Sequence, residues 1–309
     1  MKYKTRKFNW RGNMTPSKWA FFALTGGIVL ALYLIFCVYP IIQSVYTSFF
    51  EWNGYVQVKP EHVGWENYAT VVKDPEFWLA LKNDLVITAI KLVLISVLTV
   101  LFAVTLTRFR MKTAEVLFYK FVFYIPNVLS VVIIGALWGF VFMPGQTGLL
   151  NAVGALFNKD FSISWLMKYP FQSVGFVASW CGVGLFMLTM IAAIQQIPDE
   201  LYESARIDGA GEMKQLQYIT MPAVWLQLTF MVVSIFYQSL GGNFGLVNVI
   251  LPSAALDENG MVMGLYVYRY GTSLYKVGFS YAASIVMLIV TSIISLTVKF
   301  LMDKAGEKL

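Results

Sequence analysis

Residues 85–106 read LVITAIKLVLISVLTVLFAVTL, twenty-two positions with a single charge, Lys91. A helix rises about 1.5 Å per residue, so about 20 apolar residues cross the hydrocarbon core of a bilayer. Backbone groups in lipid must be paired within their own segment, and the stretch lacks the period-two alternation of a barrel strand. It therefore predicts a membrane-spanning helix. Five further runs read the same way: 19–39, with a helical extension toward residue 50, then 121–143, 171–194, 223–240 and 278–301. The composition of the 309-residue chain agrees, at 58% hydrophobic and 13% charged. Soluble domains carry roughly 25% charged residues, and so few charges cannot cover a surface facing water. An ordinary soluble domain and a disordered chain are both excluded. Cys37 and Cys181 lie in apolar runs, which rules out a disulfide scaffold, and the single histidine, His62, leaves no His/Cys cluster for a metal. The expected fold is all-α: a polytopic membrane bundle of six transmembrane helices.

Orientation follows from Lys and Arg, which concentrate on the cytoplasmic side. The segment before the first run, the 107–120 connection, the 195–222 connection and the C-terminal end from Lys299 onward together hold fifteen of the 23 basic residues. Both termini are expected in the cytoplasm. The basic head resembles a signal peptide, but its apolar run is too long and no small-residue cleavage site follows, so it reads as an uncleaved first span. The net charge of +6 then reflects topology; no basic–aromatic module points to nucleic acid. Of the outside connections, 144–170 is Gly-rich at first and then permits a short re-entrant helix through 149–157.

The inside connection 196–222 is long for a plain turn. Pro198 suits the first turn of a helix, and Asp199 and Glu200 favour its positive end. Leu201, Tyr202 and Ala205 form an apolar stripe. Asp208-Gly209 stops that helix, because glycine adopts left-handed dihedrals without penalty. Met213, Leu216 and Ile219 recur on one face of a second short helix, and Pro222 marks the entry to the fifth span. Two helices with a bend between them, each with an apolar face, read as a docking surface.

Glu203-Ser204-Ala205, Asp208-Gly209-Ala210 and Ile219-Thr220-Met221-Pro222 together resemble the EAA loop of binding-protein-dependent ABC transporter permeases. The pattern is EAA, two residues, DGA, then I-x-L-P; here Ser204, Leu216 and Met221 are mild departures. The resemblance extends through Tyr39-Pro40 with Ser48 and Trp52, Gly64, Glu66-Asn67-Tyr68, Asp74-Pro75, Phe77-Trp78, Gly148-Leu149-Leu150-Asn151, Tyr266, Tyr268 and Gly278-Phe279-Ser280-Tyr281-Ala282. It is greatest to the MalF-like subunits of oligosaccharide importers. Where that family tends to show Gly-Gly-Pro after the fifth span, this chain has Gly241-Gly242-Asn243.

The resemblance implies a type I importer permease in the cytoplasmic membrane of a bacterium or archaeon. It divides the chain into a basic N-terminus (1–18), an accessory first span with its outside loop (19–80), a core of spans two to six (81–303) and a short tail (304–309). It implies a second permease subunit, two cytosolic ATPase subunits, an extracytoplasmic solute-binding protein, surrounding lipid, and a sugar or oligosaccharide as solute. ATP and Mg would bind in the ATPases and no cofactor in this chain. It also implies that Glu203, Ser204, Ala205, Asp208, Gly209, Ala210, Leu216, Ile219 and Pro222 couple to an ATPase. The physical roles expected are a charge contact or cap for Glu203, a cap for Asp208 and the bend for Gly209. Glycerol phosphate or an acidic oligosaccharide remains open as solute. A stand-alone channel or secondary transporter would leave the loop unexplained.

Nothing in the chain reads as an enzyme. No Gly-Lys pair exists for a phosphate loop, and neither G-x-S-x-G nor H-E-x-x-H occurs. Gly182-Val183-Gly184 reads as helix packing. Candidate path residues are Ala178, Cys181, Gly182 and Leu185 on one face of the fourth span. On the fifth, Ile235, Gln238, Ser239 and Gly242 share a face, followed by Asn243. Amides and hydroxyls beside Tyr237 and Trp180 suit a sugar, or equally an interhelical hydrogen bond. Pro126 and Asn127 predict a kink in the third span. Lys91 snorkels to the outer interface or faces the path, there meeting an acidic solute together with Arg269.

Overall fold

The computed structural model describes residues 15–109, 111–252 and 260–307. The chain begins with α1 (Pro16–Tyr33), a π turn (Leu34–Val38) and α2 (Tyr39–Thr47), which run on as one apolar helix. Pro40 explains the π turn. Proline has no N–H and its ring crowds the carbonyl four residues back, so the helix widens by one residue ahead of it and Tyr39 donates to Leu34 O instead. None of the apolar stretch of this helix is buried within the chain.

A two-residue hairpin follows, β1 (Phe50–Glu51) against β2 (Glu61–His62), then α3 (Glu66–Lys73). Asp74 caps α4 (Pro75–Arg108), accepting from Glu76 N at 2.9 Å, with Pro75 at the first helical position. This helix begins ten residues before the apolar run that predicts it, because its first turns are amphipathic and pack inward. Its 34 residues span about 50 Å without a break.

The third predicted span is two helices, α5 (Thr113–Val128) and α6 (Val131–Val141), bent by 102°. The expected kink at Pro126 is thus corrected. Pro126 stays inside α5, and the chain turns at Leu129 and Ser130, where Ser130 Oγ accepts from Ile133 N (3.4 Å) and starts a new helix. The short helix expected in the 144–170 connection is α7 (Leu149–Ala155). Buried Asn151 ties its loop together: Nδ2 donates to Met143 O and Ile163 O, while Oδ1 accepts from Ile163 N and Trp165 Nε1. A short α8 (Trp165–Lys168) leads into α9 (Pro170–Ile194).

Next come α10 (Asp199–Ile207) and α11 (Glu212–Gln215), which runs through a π turn (Leu216–Thr220) into α12 (Met221–Ala223). Pro222 does not end this helix, contrary to expectation. It stands second after a π turn just as Pro40 does, with Met221 donating to Leu216 O. The break comes two residues on, at Val224, with a 71° bend into α13 (Trp225–Ser239). The chain closes with α14 (Phe244–Ile250), α15 (Met263–Tyr268) and α16 (Val277–Gly306).

Among the described residues, four helices are long and apolar enough to cross a membrane, and up to six crossings result if each bent pair forms one. The core lies where α4 and α9 run side by side. Glycines set their spacing. A Cβ at Gly175 would meet Ile90 Cγ2 at 2.9 Å and one at Gly182 would meet Ile95 Cδ1 at 2.9 Å, both on α4. Gly184 faces the other way, against the backbone of Phe123 and Tyr124 in α5. The Gly-Val-Gly run therefore packs α9 against two partners at once.

Candidate coupling surface and translocation path

Pro198 occupies the N-cap position of α10 rather than its first turn, since its backbone is extended; Asp199 and Glu200 hold the first turn. The helix ends in a Schellman motif, with Gly209 N–H donating to Arg206 O (3.0 Å) and Ala210 N–H to Ala205 O (2.8 Å). Gly209 makes this possible with φ +79°, in open surroundings, so it is needed for its backbone and not for space. Ala205 and Ala210 are brought together across this turn. Gln215 Nε2 donates to Ala210 O (2.7 Å), fixing the start of the second helix against the turn. Tyr202 is 2% exposed, and its hydroxyl meets Thr220 Oγ1 at 2.9 Å. Leu216, Ile219 and Pro222 are half-buried behind this contact.

The outward side of the loop carries Leu201, Ile207, Met213 and Tyr218, all exposed. Met213 therefore does not share the half-buried side of Leu216 and Ile219. Ser204 Oγ returns to Glu200 O (2.8 Å). Among the described residues, the carboxylates of Glu203 and Asp208 make no hydrogen bond or ion pair, so neither side chain caps a helix, and a charge contact for Glu203 would lie outside these residues. Asp208 does sit at the C-cap, through its backbone. The surface joins apolar side chains to unpaired charges, the composition that a protein partner buries.

Along α9, Ala178, Cys181, Gly182 and Leu185 form a half-exposed stripe, with Gly182 filled by Ile95. The α13 face divides. Ile235 and Ser239 are buried, whereas Gln238 and Gly242 are exposed. Asn243 is buried and engaged: Nδ2 donates to Asp84 Oδ1 (2.8 Å) and Ser239 O (2.9 Å). Asp84 Oδ2 accepts from Met263 N (2.9 Å), and the neighbouring Asn83 Nδ2 donates to Met261 O (2.8 Å). The Asn243 departure thus has a reason: its amide satisfies a fully buried carboxylate on α4. Lys91 lies two turns further along the same face, half-buried, within electrostatic reach of Asp84 and Cys181.

Arg269 does not accompany Lys91. Its Nη1 pairs with Glu76 Oε1 at 2.9 Å, next to a 2.6 Å bond from the Tyr266 hydroxyl to Asp74 Oδ2. Burial, and then the bond to Asp74, push Tyr266 well above the ordinary tyrosine pKa, so it remains a donor. These links hold α15 to the Pro75 end of α4.

At the other end, Arg108 stacks on Tyr202, its guanidinium carbon 3.4 Å from the ring centroid, and Nη1 lies 3.2 Å from Asp199 Oδ1. Sequence reading missed Asp84 and Arg108. Both flank an apolar run, where a charge reads as an interface residue, and their partners are remote in sequence.

The family model described as "Binding-protein-dependent transport system inner membrane component" matches residues 92–305. The probable ABC transporter permease protein YurN of Bacillus subtilis is 32% identical over 270 residues, covering 86% of this chain and 90% of the relative. The diacetylchitobiose uptake system permease protein NgcF of Streptomyces coelicolor is 27% identical, covering 95% and 85%. In fold, the chain is similar to a solved chain of a bacterial alginate ABC transporter crystallised with its alginate-bound periplasmic protein. The TM-score is 0.79 at 22% identity, covering 94% of this chain and 96% of that one. A multi-pass protein of the cytoplasmic membrane, this chain belongs to the family of inner-membrane components of binding-protein-dependent transport systems, as a transport permease subunit and not an enzyme.

Proposed function

We propose that the chain is the permease subunit of an ATP-driven oligosaccharide importer. It crosses the membrane six times, with each bent pair forming one crossing and both termini in the cytoplasm. The observation that carries this reading is the 196–222 loop: a Schellman-closed helix pair on a buried Tyr202, presenting exposed Leu201, Ile207 and Met213 beside Glu203 and Asp208, whose carboxylates have no partner among the described residues. Its place is the groove of a cytosolic ATPase subunit. Two ATPases closing on ATP draw this loop and that of a second permease together and rock the spans between inward- and outward-facing states. ATP and Mg belong to the ATPases.

An oligosaccharide is supported by relatives named for such cargo, diacetylchitobiose for NgcF and arabinooligosaccharides for AraP of Bacillus subtilis. Exposed Gln238 and Tyr237 on α13, with the Ala178–Leu185 stripe on α9, supply amide, aromatic and open surface for a sugar. Asn243 is committed to Asp84 in this conformation and is a weaker candidate. Lys91 shares its face with Asp84, so the two add no net charge, which favours a neutral solute over an acidic one.

The test is purification of the tagged chain from native membranes in mild detergent, followed by mass spectrometry. Recovery of a second permease and an ATPase, with the ATPase lost in a Glu203→Lys/Asp208→Lys variant, supports the reading. An intact chain recovered alone, under conditions that keep a known ABC complex together, refutes it.

A further inference from the structure

Arg108 is the last residue of α4, and its side chain is only 14% exposed. Among the described residues it makes the one ion pair and the one cation–π contact between α10 and a membrane-crossing helix. The two contacts differ in weight. Asp199 is 84% exposed, and a pair open to water on one side contributes little. The Tyr202 ring is buried, and a guanidinium 3.4 Å above its centroid is the stronger attachment. Through the Tyr202 hydroxyl the contact reaches Thr220 and the helix leading into α13. Arg108 therefore sits where α4, α10 and the approach to α13 meet.

The far end of α4 is held as firmly. Asp84 accepts from Asn243 and Met263, Asp74 from Tyr266, and Glu76 pairs with Arg269. Between these ends α4 has no break, no internal proline and no π turn, unlike the first, third and fifth crossings. A displacement of α10 is passed along such a helix rather than absorbed in it.

We propose that Arg108 is a positioning residue for transport: it clamps the ATPase-facing helix to α4, and α4 carries the motion as a rod to Asn243, Met263, Tyr266 and Arg269. This rests on the reading that α10 docks an ATPase. Other charged residues of the loop can hold the ATPase in place, but Arg108 makes its stroke move a span.

The test uses the complete transporter reconstituted in liposomes, measuring ATPase retention, ATP hydrolysis and solute uptake. In Arg108→Gln the ATPase stays bound and hydrolysis continues, while uptake per ATP falls by about tenfold, the loss expected for one desolvated cation–π contact. Tyr202→Leu gives the same loss, the double variant is no worse than either single, and Tyr202→Phe, which keeps the ring and loses only the hydroxyl bond to Thr220, retains most of the uptake per ATP. Unchanged uptake per ATP in Arg108→Gln overturns the proposal, as does release of the ATPase by that variant, which would make Arg108 part of the docking surface. Should Arg108→Gln fail to accumulate, Tyr202→Leu against Tyr202→Phe reads the contact from its other side, and equal uptake per ATP in the two overturns it. A wild-type complex that retains no ATPase would instead refute the docking reading itself.

Discussion

Asp84 accepts two hydrogen bonds from groups with few alternatives, the Asn243 amide and the Met263 N–H. Asp84→Ala leaves the Met263 donor buried and unpaired and half-frees Asn243, so the stability of the purified complex should fall by about 2–4 kcal/mol, read as thermal unfolding in detergent. Asn243→Ala should lower it by about 1–3 kcal/mol, because it takes the amide donor from a buried carboxylate. Gly209 makes a different kind of prediction. Its surroundings are open, so Gly209→Ala meets no clash; the left-handed φ alone costs about 1–2 kcal/mol. Transport should drop in Gly209→Ala, and Gly209→Asn should recover much of it, since asparagine tolerates that region, as an uptake assay in cells would show. Asp208-Gly209 was legible as a stop from residue type alone. Asp84–Asn243 was not, because the partners stand 159 positions apart.

Between elements, the glycines of α9 give opposite outcomes for the same substitution. At Gly182 an added methyl meets the end of the Ile95 side chain, which can rotate away, so Gly182→Ala should express and transport close to normally. At Gly184 it meets the backbone of α5 at Phe123 and Tyr124, which cannot move without parting the helices. Gly184→Ala should lower the membrane content of the chain, and immunoblotting of membranes distinguishes the two. The bounds of α9 were readable, since its apolar run starts beside Pro170 and stops at the polar Gln195-Gln196. The break between α5 and α6 was not. Pro126 offered the more obvious signal, yet α5 continues past it, and the turn is made by the Ser130 cap, a weak cue amid apolar residues. Pro40 and Pro222 misled in the same way, since a π turn ahead of each lets the helix run through.

At the level of the whole chain, reporter fusions test the topology. A fluorescent protein that folds only in the cytosol should shine when fused after residue 308, and alkaline phosphatase should be active when inserted near residue 160, in the connection expected outside. Silence of both would reverse the orientation. The first helix, unburied along its apolar stretch, fits a chain that completes its packing with lipid or a second permease. Sequence alone determined the solvent of this protein, its helical class, its basic side and the presence of a helix–Gly–helix loop. Each of these follows from local composition and spacing, which hydrocarbon, a left-handed turn or a membrane interface reads a few residues at a time. Tertiary structure decided what α4 holds. Arg108 meets Tyr202 at one end, while Asp84 meets Asn243 and Met263 at the other. Those pairings depend on how α4 lies against α10, α13, Asn243 and α15. That placement comes from close packing of α9 glycines against Ile90 and Ile95 of α4, remote in sequence, and no local pattern encodes it.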